Sequence, residues 1–267
     1  MRILILVLGV VLMLPAQQRP VIALVAFGTS VPHAALVYDQ IHDAVQARYP
    51  EHELRWAYTA SFIRRKLAER GRIIPSPAEL AAELAAAGHE RAVFQSLHVS
   101  PGQEYGEMCA IDSHGMHIVF GAPLMATDRD VERLLDALAD ELQRPEPLVL
   151  AGHGNDRYPE HNRFLDLLDS RLRQRRARAW LCTVEGSPGT DGLQAARQAA
   201  AEHGAVRFVP AMMVAGDHIM NDVMGEEPDS WRSLVAASAS SCGAPLGARP
   251  AVHALIIQHL QEALERL

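Results

Sequence analysis

The sequence contains little cysteine: Cys109, Cys182 and Cys242 are the three in 267 residues. None are spaced as C-x-x-C, which excludes a thioredoxin-type redox motif and a cysteine-based zinc site. Because three cysteines cannot all pair within one chain, we expect free thiols, or one disulfide with one cysteine left over. Hydrophobic residues make up 49% of the chain, enough for one large α/β domain or two lobes of ordinary size.

An excess of positive charge is also missing. The chain has 25 lysines and arginines against 32 aspartates and glutamates, a net charge of −7. The basic residues are scattered apart from one cluster at 171–178, which we interpret as the solvated end of a helix. Nucleic acid is therefore not an expected partner.

Only the first residues form a long apolar run. The segment MRILILVLGVVLMLPA, residues 1–16, has one arginine followed by about a dozen apolar residues, fewer than the roughly 20 that a membrane span needs. This pattern predicts a signal peptide over 1–16, with cleavage after Ala16 and export to the periplasm. An uncleaved leader is the alternative, and it would be the chain's one contact with a membrane.

The rest of the sequence alternates between short apolar runs and helical patterns, which predicts an α/β fold with parallel sheets covered by helices. Pro32 and Pro77 stand near helix starts, and Asp128 and Asp191 are expected caps. The predicted strands are 21–27, 54–58, 92–97, 116–120, 148–151, 178–182 and 206–215. The predicted helices are 32–48, 61–70, 77–87, 128–143, 160–175, 191–203 and 249–266.

An internal repeat indicates two similar lobes, at 20–126 and 146–267. The segment FGTS, residues 27–30, matches AGHG, residues 151–154, and the same offset places Trp56 on Trp180. A third match aligns the strand containing Phe94 with the strand containing Phe208. Chance is the alternative, because glycine-rich strand ends recur in all such folds.

Three potential metal ligands follow successive strands of the second lobe: His153, Glu185 and His218. Ligands of parallel sheets bind beyond the carboxyl ends of the strands. Two imidazoles and a carboxylate suit Co²⁺, Ni²⁺, Fe²⁺ or Zn²⁺ and leave coordination positions open. Singly, each residue also fits a structural role: a turn histidine, a loop carboxylate, and a helix-start residue with Asp217 as the cap.

Six segments carry a resemblance to a known family: VAFGTS, RWAYTASFIRRKLAERG, QSLHVSPGQEYGEM, AGHGN, TVEGSP and VAGDHIMNDVMGEEPDSW. They resemble the sirohydrochlorin cobaltochelatases, class II tetrapyrrole chelatases of anaerobic cobalamin biosynthesis. The similarity runs from about Val21 to the C-terminus, and exported members of that family carry a leader. It implies that His153, Glu185 and His218 bind the metal in a cleft between two lobes. Where the family has Gly-Tyr-Pro, this chain has Gly-Ser-Pro at 186–188.

The resemblance implies insertion of Co²⁺, or alternatively Fe²⁺ or Ni²⁺, into sirohydrochlorin. Insertion displaces two pyrrole protons, and we expect His153 to accept a proton because the ordinary pKa of an imidazole is about 6.5. The sequence lacks G-x-x-x-x-G-K-[ST], so we predict that no nucleotide is needed. A homo-oligomer is the common default.

Two other functions stay open. A periplasmic carrier of a tetrapyrrole or metal ion fits the export signal, whereas a metal-dependent hydrolase is disfavoured because G-x-S-x-G and H-E-x-x-H are both missing.

In the first lobe, the repeat puts Thr29 and Ser30 where His153 stands, and we expect them to bind the substrate. His98 has three interpretations: a substrate contact, an axial ligand for tetrapyrrole iron, or a hydrogen-bonded structural histidine. A basic run could serve the substrate's carboxylates or form a helix surface, and two methionines are interpreted as core residues. The basic run is Arg64, Arg65 and Lys66, and the methionines are Met108 and Met116.

Overall fold

The computed structural model describes residues 19–267, so the predicted signal peptide lies outside the described residues. The chain forms two parallel sheets of four strands each, in the orders β2-β1-β3-β4 and β6-β5-β7-β8. This confirms the predicted α/β fold with two similar lobes. The first sheet contains β1 (Val21–Ala26), β2 (Leu54–Tyr58), β3 (Arg91–Ser96) and β4 (His117–Gly121), and the second contains β5 (Leu148–Gly154), β6 (Ala179–Glu185), β7 (Ala205–Pro210) and β8 (Ala239–Cys242).

Ten α-helices are found in the described chain. They are α1 (Pro32–Arg48), α2 (Ser61–Ala68), α3 (Pro77–Ala86), α4 (Gln103–Cys109), α5 (Asp128–Ala137), α6 (Ala139–Leu142), α7 (Arg163–Arg175), α8 (Gly192–His203), α9 (Trp231–Val235) and α10 (Pro250–Leu264). The predicted helix 128–143 is two helices that meet at Leu138. The predicted strand 206–215 ends at Pro210, because the residues beyond it form a loop.

The helix starts predicted from proline were confirmed, whereas the helix caps predicted from aspartate were not. Pro32 and Pro77 lie in the first turns of α1 and α3, as predicted. The prediction for Asp128 was wrong, because Thr127 caps α5 in a capping box with Asp130. Asp191 precedes α8, but its side chain makes no capping hydrogen bond because its own backbone is already helical.

The two sheets share a register that differs from the sequence repeat. Ala23 pairs with Phe94 in the first sheet, and Val149 pairs with Phe208 in the second. If the two phenylalanines correspond, Ala23 corresponds to Val149. Carried along β1 and β5, this register places Phe27, and not Thr29, at the position of His153.

Backbone conformation supports the shifted register. Gly28 and Gly154, which it makes equivalent, both have positive φ, at 104° and 76°. The match of Trp56 to Trp180 was wrong, because the two side chains belong to different hydrophobic clusters. An alignment error of one residue along a strand is enough to cause this difference, because successive side chains of a strand point to opposite faces of the sheet.

The two lobes are joined by exchanged helices and by one continuous core. Residues of both sheets, Leu24 and Leu150 among them, belong to the same hydrophobic cluster. The last helix, α10, packs on β3 and β4 of the first sheet, while α5 packs on α7 of the second lobe. The basic cluster at 171–178 takes part in this packing, since Arg175 forms ion pairs with Glu132 and Asp136 of α5.

A buried ion network fastens the connection between the lobes to the second sheet. Glu141 of α6 accepts hydrogen bonds from Arg207 at 2.5 and 2.9 Å and from Arg249 at 2.7 Å. Burial by itself would raise the pKa of Glu141, but these hydrogen bonds outweigh burial and lower its pKa to about 2. Glu141 therefore stays ionised at neutral pH although its side chain is 4% exposed.

Within residues 19–267, no helix has both the length and the apolar character needed to cross a membrane.

Candidate metal site

His153 stands near the carboxyl end of β5 with an exposed side chain. Its Nδ1 lies 2.8 Å from the carbonyl oxygen of Gly154. Because a carbonyl oxygen only accepts, Nδ1 donates the hydrogen in this pairing, which leaves Nε2 of a neutral ring with its lone pair. His153 is thus oriented as a metal ligand or a proton acceptor.

His218 is oriented in the same way by a carboxylate. Its Nδ1 lies 2.6 Å from Oδ2 of Asp222, one turn later in the chain. Histidines that bind metals commonly donate their second ring hydrogen to a carboxylate, which fixes the tautomer and makes the ligating nitrogen more basic. His218 directly precedes the short π-helical turn Ile219–Val223, which contains Asp222. The sequence interpretation missed Asp222, although its spacing of four residues from His218 is a helical signal.

The fold brings the two predicted histidines together. The ring centroids of His153 and His218 are 4.9 Å apart, with an angle of 84° between the planes. His153 belongs to β5 and His218 follows β7, and these two strands are neighbours in the second sheet. The two imidazoles are therefore direct neighbours at this edge of the second sheet.

Glu185 lies on the adjoining strand, but its side chain does not form a metal-binding group with the two histidines. It is the last residue of β6, its side chain is exposed, and it pairs in register with Gly154. Across residues 19–267, no three His, Cys, Asp or Glu side chains are grouped closely enough to hold an ion. The structure thus assembles two of the three predicted ligands and places the third at the same edge of the sheet.

The loop after Glu185 is held by side chains around it. The amide nitrogen of Gly186 donates to Oδ1 of Asp156 at 2.5 Å, and the hydroxyl of Thr183 donates to the carbonyl oxygen of Gly186 at 2.7 Å. Gly154 leaves no room for a side chain here, since a Cβ on it would stand 1.7 Å from the carbonyl oxygen of Glu185. The glycine of the GHGN segment thus allows β5 and β6 to approach.

The predicted substrate residues of the first lobe lie elsewhere than the repeat implied. Thr29 is buried, and its hydroxyl oxygen accepts a hydrogen bond from the amide of Val31 at 3.2 Å. Ser30 is half-buried, and its carbonyl oxygen accepts from Arg70 at 2.9 Å. Their placement at the position of His153 was wrong, because the register of the sheets gives that position to Phe27. Their contact with substrate stays a prediction.

His98 sits in a hydrogen-bonded pocket of the first lobe. Its Nδ1 lies 2.9 Å from the Ser96 hydroxyl, and its Nε2 lies 3.3 Å from the Thr59 hydroxyl. Burial lowers the pKa of His98 to about 4, so the ring is neutral at physiological pH. Both ring nitrogens have partners, as a structural histidine requires, and a role as an axial ligand for tetrapyrrole iron stays a prediction.

Other residues singled out in the sequence also have defined places. Arg64 forms an ion pair with Glu79 at 2.8 Å. Met108 and Met116 are buried in the hydrophobic cluster on the outer side of the first sheet, which confirms their interpretation as core residues. The three cysteines of the chain are free thiols.

Comparison with known proteins identifies the family. The family model described as cobalt chelatase (CbiK) matches residues 21–265. A sirohydrochlorin cobaltochelatase of Salmonella typhimurium is 32% identical over 231 residues, which cover 82% of this chain and 86% of that protein. The sirohydrochlorin cobaltochelatase CbiKC of Nitratidesulfovibrio vulgaris is 30% identical over 243 residues, covering 85% of each chain.

A solved structure supports the fold alone. SirB from Bacillus subtilis, determined with Fe³⁺, has a TM-score of 0.62 at 14% identity and covers 92% of this chain and 96% of its own. The family match, which extends over almost all of the described residues, shows that the chain belongs to the CbiK family of cobalt chelatases.

Proposed function

We propose that this protein inserts Co²⁺ into sirohydrochlorin without consuming a nucleotide. The single observation that carries the proposal is the pair of imidazole rings at 4.9 Å, His153 and His218, each with Nδ1 engaged and Nε2 left free. Two relatives at 30% and 32% identity are named sirohydrochlorin cobaltochelatases, and they supply the substrate of the proposal.

The metal ion is a substrate, held by His153, His218 and Glu185. Two imidazoles and one carboxylate suit Co²⁺, and also Fe²⁺ and Ni²⁺, while open coordination positions remain for the macrocycle nitrogens. Glu185 joins the histidines by rotation of its exposed side chain from the end of β6. Binding of the ion thus brings Glu185 into its coordination shell.

Insertion exchanges one divalent ion for two pyrrole protons, so the site must accept protons as it releases the metal. When the ion passes to the macrocycle, Nε2 of His153 regains its lone pair and takes one proton. The second proton leaves through the exposed carboxylate of Glu185. No phosphoryl chemistry enters this exchange, and the sequence has no phosphate-binding P-loop motif.

We propose that the chain is exported to the periplasm and acts there as a homo-oligomer. Export is supported by the pattern of residues 1–16, and assembly by the general tendency of soluble enzymes to form symmetric oligomers. Fractionation of cells expressing the full chain or a chain without residues 1–16 tests the first statement. Light scattering of the purified protein tests the second.

The decisive experiment follows the absorbance of sirohydrochlorin with Co²⁺ and a substoichiometric amount of purified protein under anaerobic conditions. We expect many equivalents of cobalt-sirohydrochlorin per protein, without ATP. Formation of no more than one equivalent would instead identify a carrier of the tetrapyrrole or the ion. Parallel reactions with Fe²⁺ and Ni²⁺ compare the three metals.

A further inference from the structure

Two phenylalanines are exposed at the end of β1 and the start of α2. The side chains of Phe27 and Phe62 are 41% and 53% exposed, and their ring centroids are 5.9 Å apart in an edge-to-face arrangement. Every other phenylalanine and tryptophan of the described chain is buried or half-buried. Exposure of two aromatic rings in contact forgoes the stabilisation that burial would give, and such a patch commonly marks a binding surface.

The register of the two sheets places this aromatic pair relative to the histidines. Phe27 directly follows β1, and His153 is the next-to-last residue of β5. The register of the two sheets makes these two positions equivalent. The neighbouring glycines, Gly28 and Gly154, both turn the backbone with positive φ. One lobe thus offers a benzene ring at the position where the other offers an imidazole.

Contacts between the lobes bring these two strand ends to the same region. The first turns of α1, which follow Phe27, pack on the turn Leu246–Ala248: a Cβ on Gly247 would stand 2.6 Å from Cγ1 of Val37. The amide of Gly247 donates to the carbonyl oxygen of Met213, in the loop that leads from β7 to His218. The helix that follows Phe27 and the loop that leads to His218 are therefore joined through the turn Leu246–Ala248.

Basic side chains accompany the aromatic pair. Arg65 and Lys66 lie three and four residues after Phe62 on α2, so they share its face of the helix. Both are exposed, and neither forms an ion pair with the described residues. Arg64, in contrast, points to Glu79. The surface combines aromatic rings with free cations, and its matching ligand is a flat, apolar ring system that carries carboxylates at its rim.

We propose that this aromatic wall, formed by Phe27 and Phe62, binds one face of the tetrapyrrole while Arg65 and Lys66 pair with its carboxylates. The inference rests on the proposed function and assigns the lobes separate tasks: the first holds the macrocycle, and the second delivers the metal to its opposite face. Rings prefer offset or edge-to-face contact with other π-systems, which suits a wall built of two tilted rings.

The test measures binding of metal-free sirohydrochlorin by quenching of its fluorescence, in Phe27→Ala, Phe62→Ala and Arg65→Gln/Lys66→Gln. We expect Kd to rise about three- to tenfold for each phenylalanine variant, and KM for sirohydrochlorin to rise in parallel with little change in kcat. Phe27→Tyr should restore wild-type Kd, because the aromatic face is kept. The double variant should weaken binding at low salt and approach wild type at high salt.

Leu234→Ala is the matched control, since Leu234 is a 43% exposed apolar residue on α9 that has no part in the wall. Titration of Co²⁺ without tetrapyrrole should give the same Kd for wild type and all wall variants. An unchanged Kd for sirohydrochlorin in both phenylalanine variants would overturn the inference. Failure of the wild type to insert cobalt would overturn the proposed function instead. The binding measurement would still show whether the aromatic wall binds the tetrapyrrole.

Discussion

The imidazole rings of His153 and His218 meet edge to face at the carboxyl ends of two neighbouring strands, with 4.9 Å between their centroids. Each ring is tied at Nδ1 to a different acceptor, a backbone carbonyl for His153 and a carboxylate for His218. This arrangement fixes both tautomers before any ion arrives. The fold therefore supplies the ligand orientation that metal sites otherwise obtain on binding.

His153→Ala should abolish cobalt insertion while it leaves the fold intact. We expect the rate to fall by about a hundredfold or more, because both a ligand and a proton acceptor are lost. The exposed ring makes few packing contacts, so the free energy of unfolding should change by less than about 0.5 kcal/mol. The absorbance assay and a urea unfolding curve measure the two effects. Turnover at the wild-type rate would remove His153 from the proposed role.

Asp222→Asn should weaken cobalt binding through His218. Loss of the carboxylate partner leaves the ring less basic and free to change tautomer, so we expect the Kd for Co²⁺ to rise about tenfold or more. Isothermal titration without tetrapyrrole measures this. Asp217→Asn is the control, because Asp217 bonds to Asn221 and not to the ring. Equal Kd values in the two variants would show that Asp222 does not orient the histidine.

Gly154→Ala should disturb the approach of β5 to β6. Gly154 has a φ of 76°, and the added Cβ would meet the carbonyl oxygen of Glu185. Gly204→Ala is the comparison, since Gly204 has a φ of 82° and a Cβ added to it would meet no non-neighbouring residue within 4 Å. We expect the control to lose about 1 kcal/mol from backbone strain alone. Gly154→Ala should lose more and bind Co²⁺ more weakly. Similar melting temperatures would contradict the close approach.

Glu141→Gln should destabilise the protein by about 3 to 5 kcal/mol at pH 7, because Arg207 and Arg249 lose their buried counter-charge. The folded pKa of Glu141 is lowered from its ordinary value of 4.5 to about 2. Its contribution is therefore fully present above pH 4.5 and is lost as the pH falls towards 2. Urea unfolding should show a smaller difference between wild type and variant at pH 3 than at pH 7.

Glu227→Gln serves as the control for that measurement, since Glu227 is exposed. Its effect on unfolding should be small at both pH values. A wild-type advantage over Glu141→Gln that stays constant from pH 7 to pH 3 would show that the network does not hold the carboxylate ionised.

The sequence predicted most of the fold because parallel strands buried on both faces appear as continuous apolar runs. It missed β8, whose residues ASSC form no apolar run and lie at the sheet edge. The join between α5 and α6 was also missed, since helical periodicity continues across Leu138. These elements are determined by tertiary packing more than by local pattern.

The sequence predicted which histidines form the candidate site, but it did not predict how the two sheets align with each other. His153 and His218 were identified from their places after strands, and the structure brings them into contact. The position of Phe27 was missed, because a repeat between diverged halves aligns by conspicuous glycines and tryptophans. Strand pairing, which can be seen only in the structure, corrects that alignment by two residues at β1. The corrected alignment places Phe27, one of the two exposed phenylalanines, at the position of His153.

The exchange of α5 and α10 between the lobes means that the covalent halves of the chain are not its folding units. A nick in the connection before β5 would leave β3 and β4 of the amino-terminal fragment without the helix that covers them, because α10 belongs to the carboxyl-terminal fragment. Neither piece closes its own core, so the two should reassemble as a complementing pair. In this respect the single chain behaves as a tethered dimer.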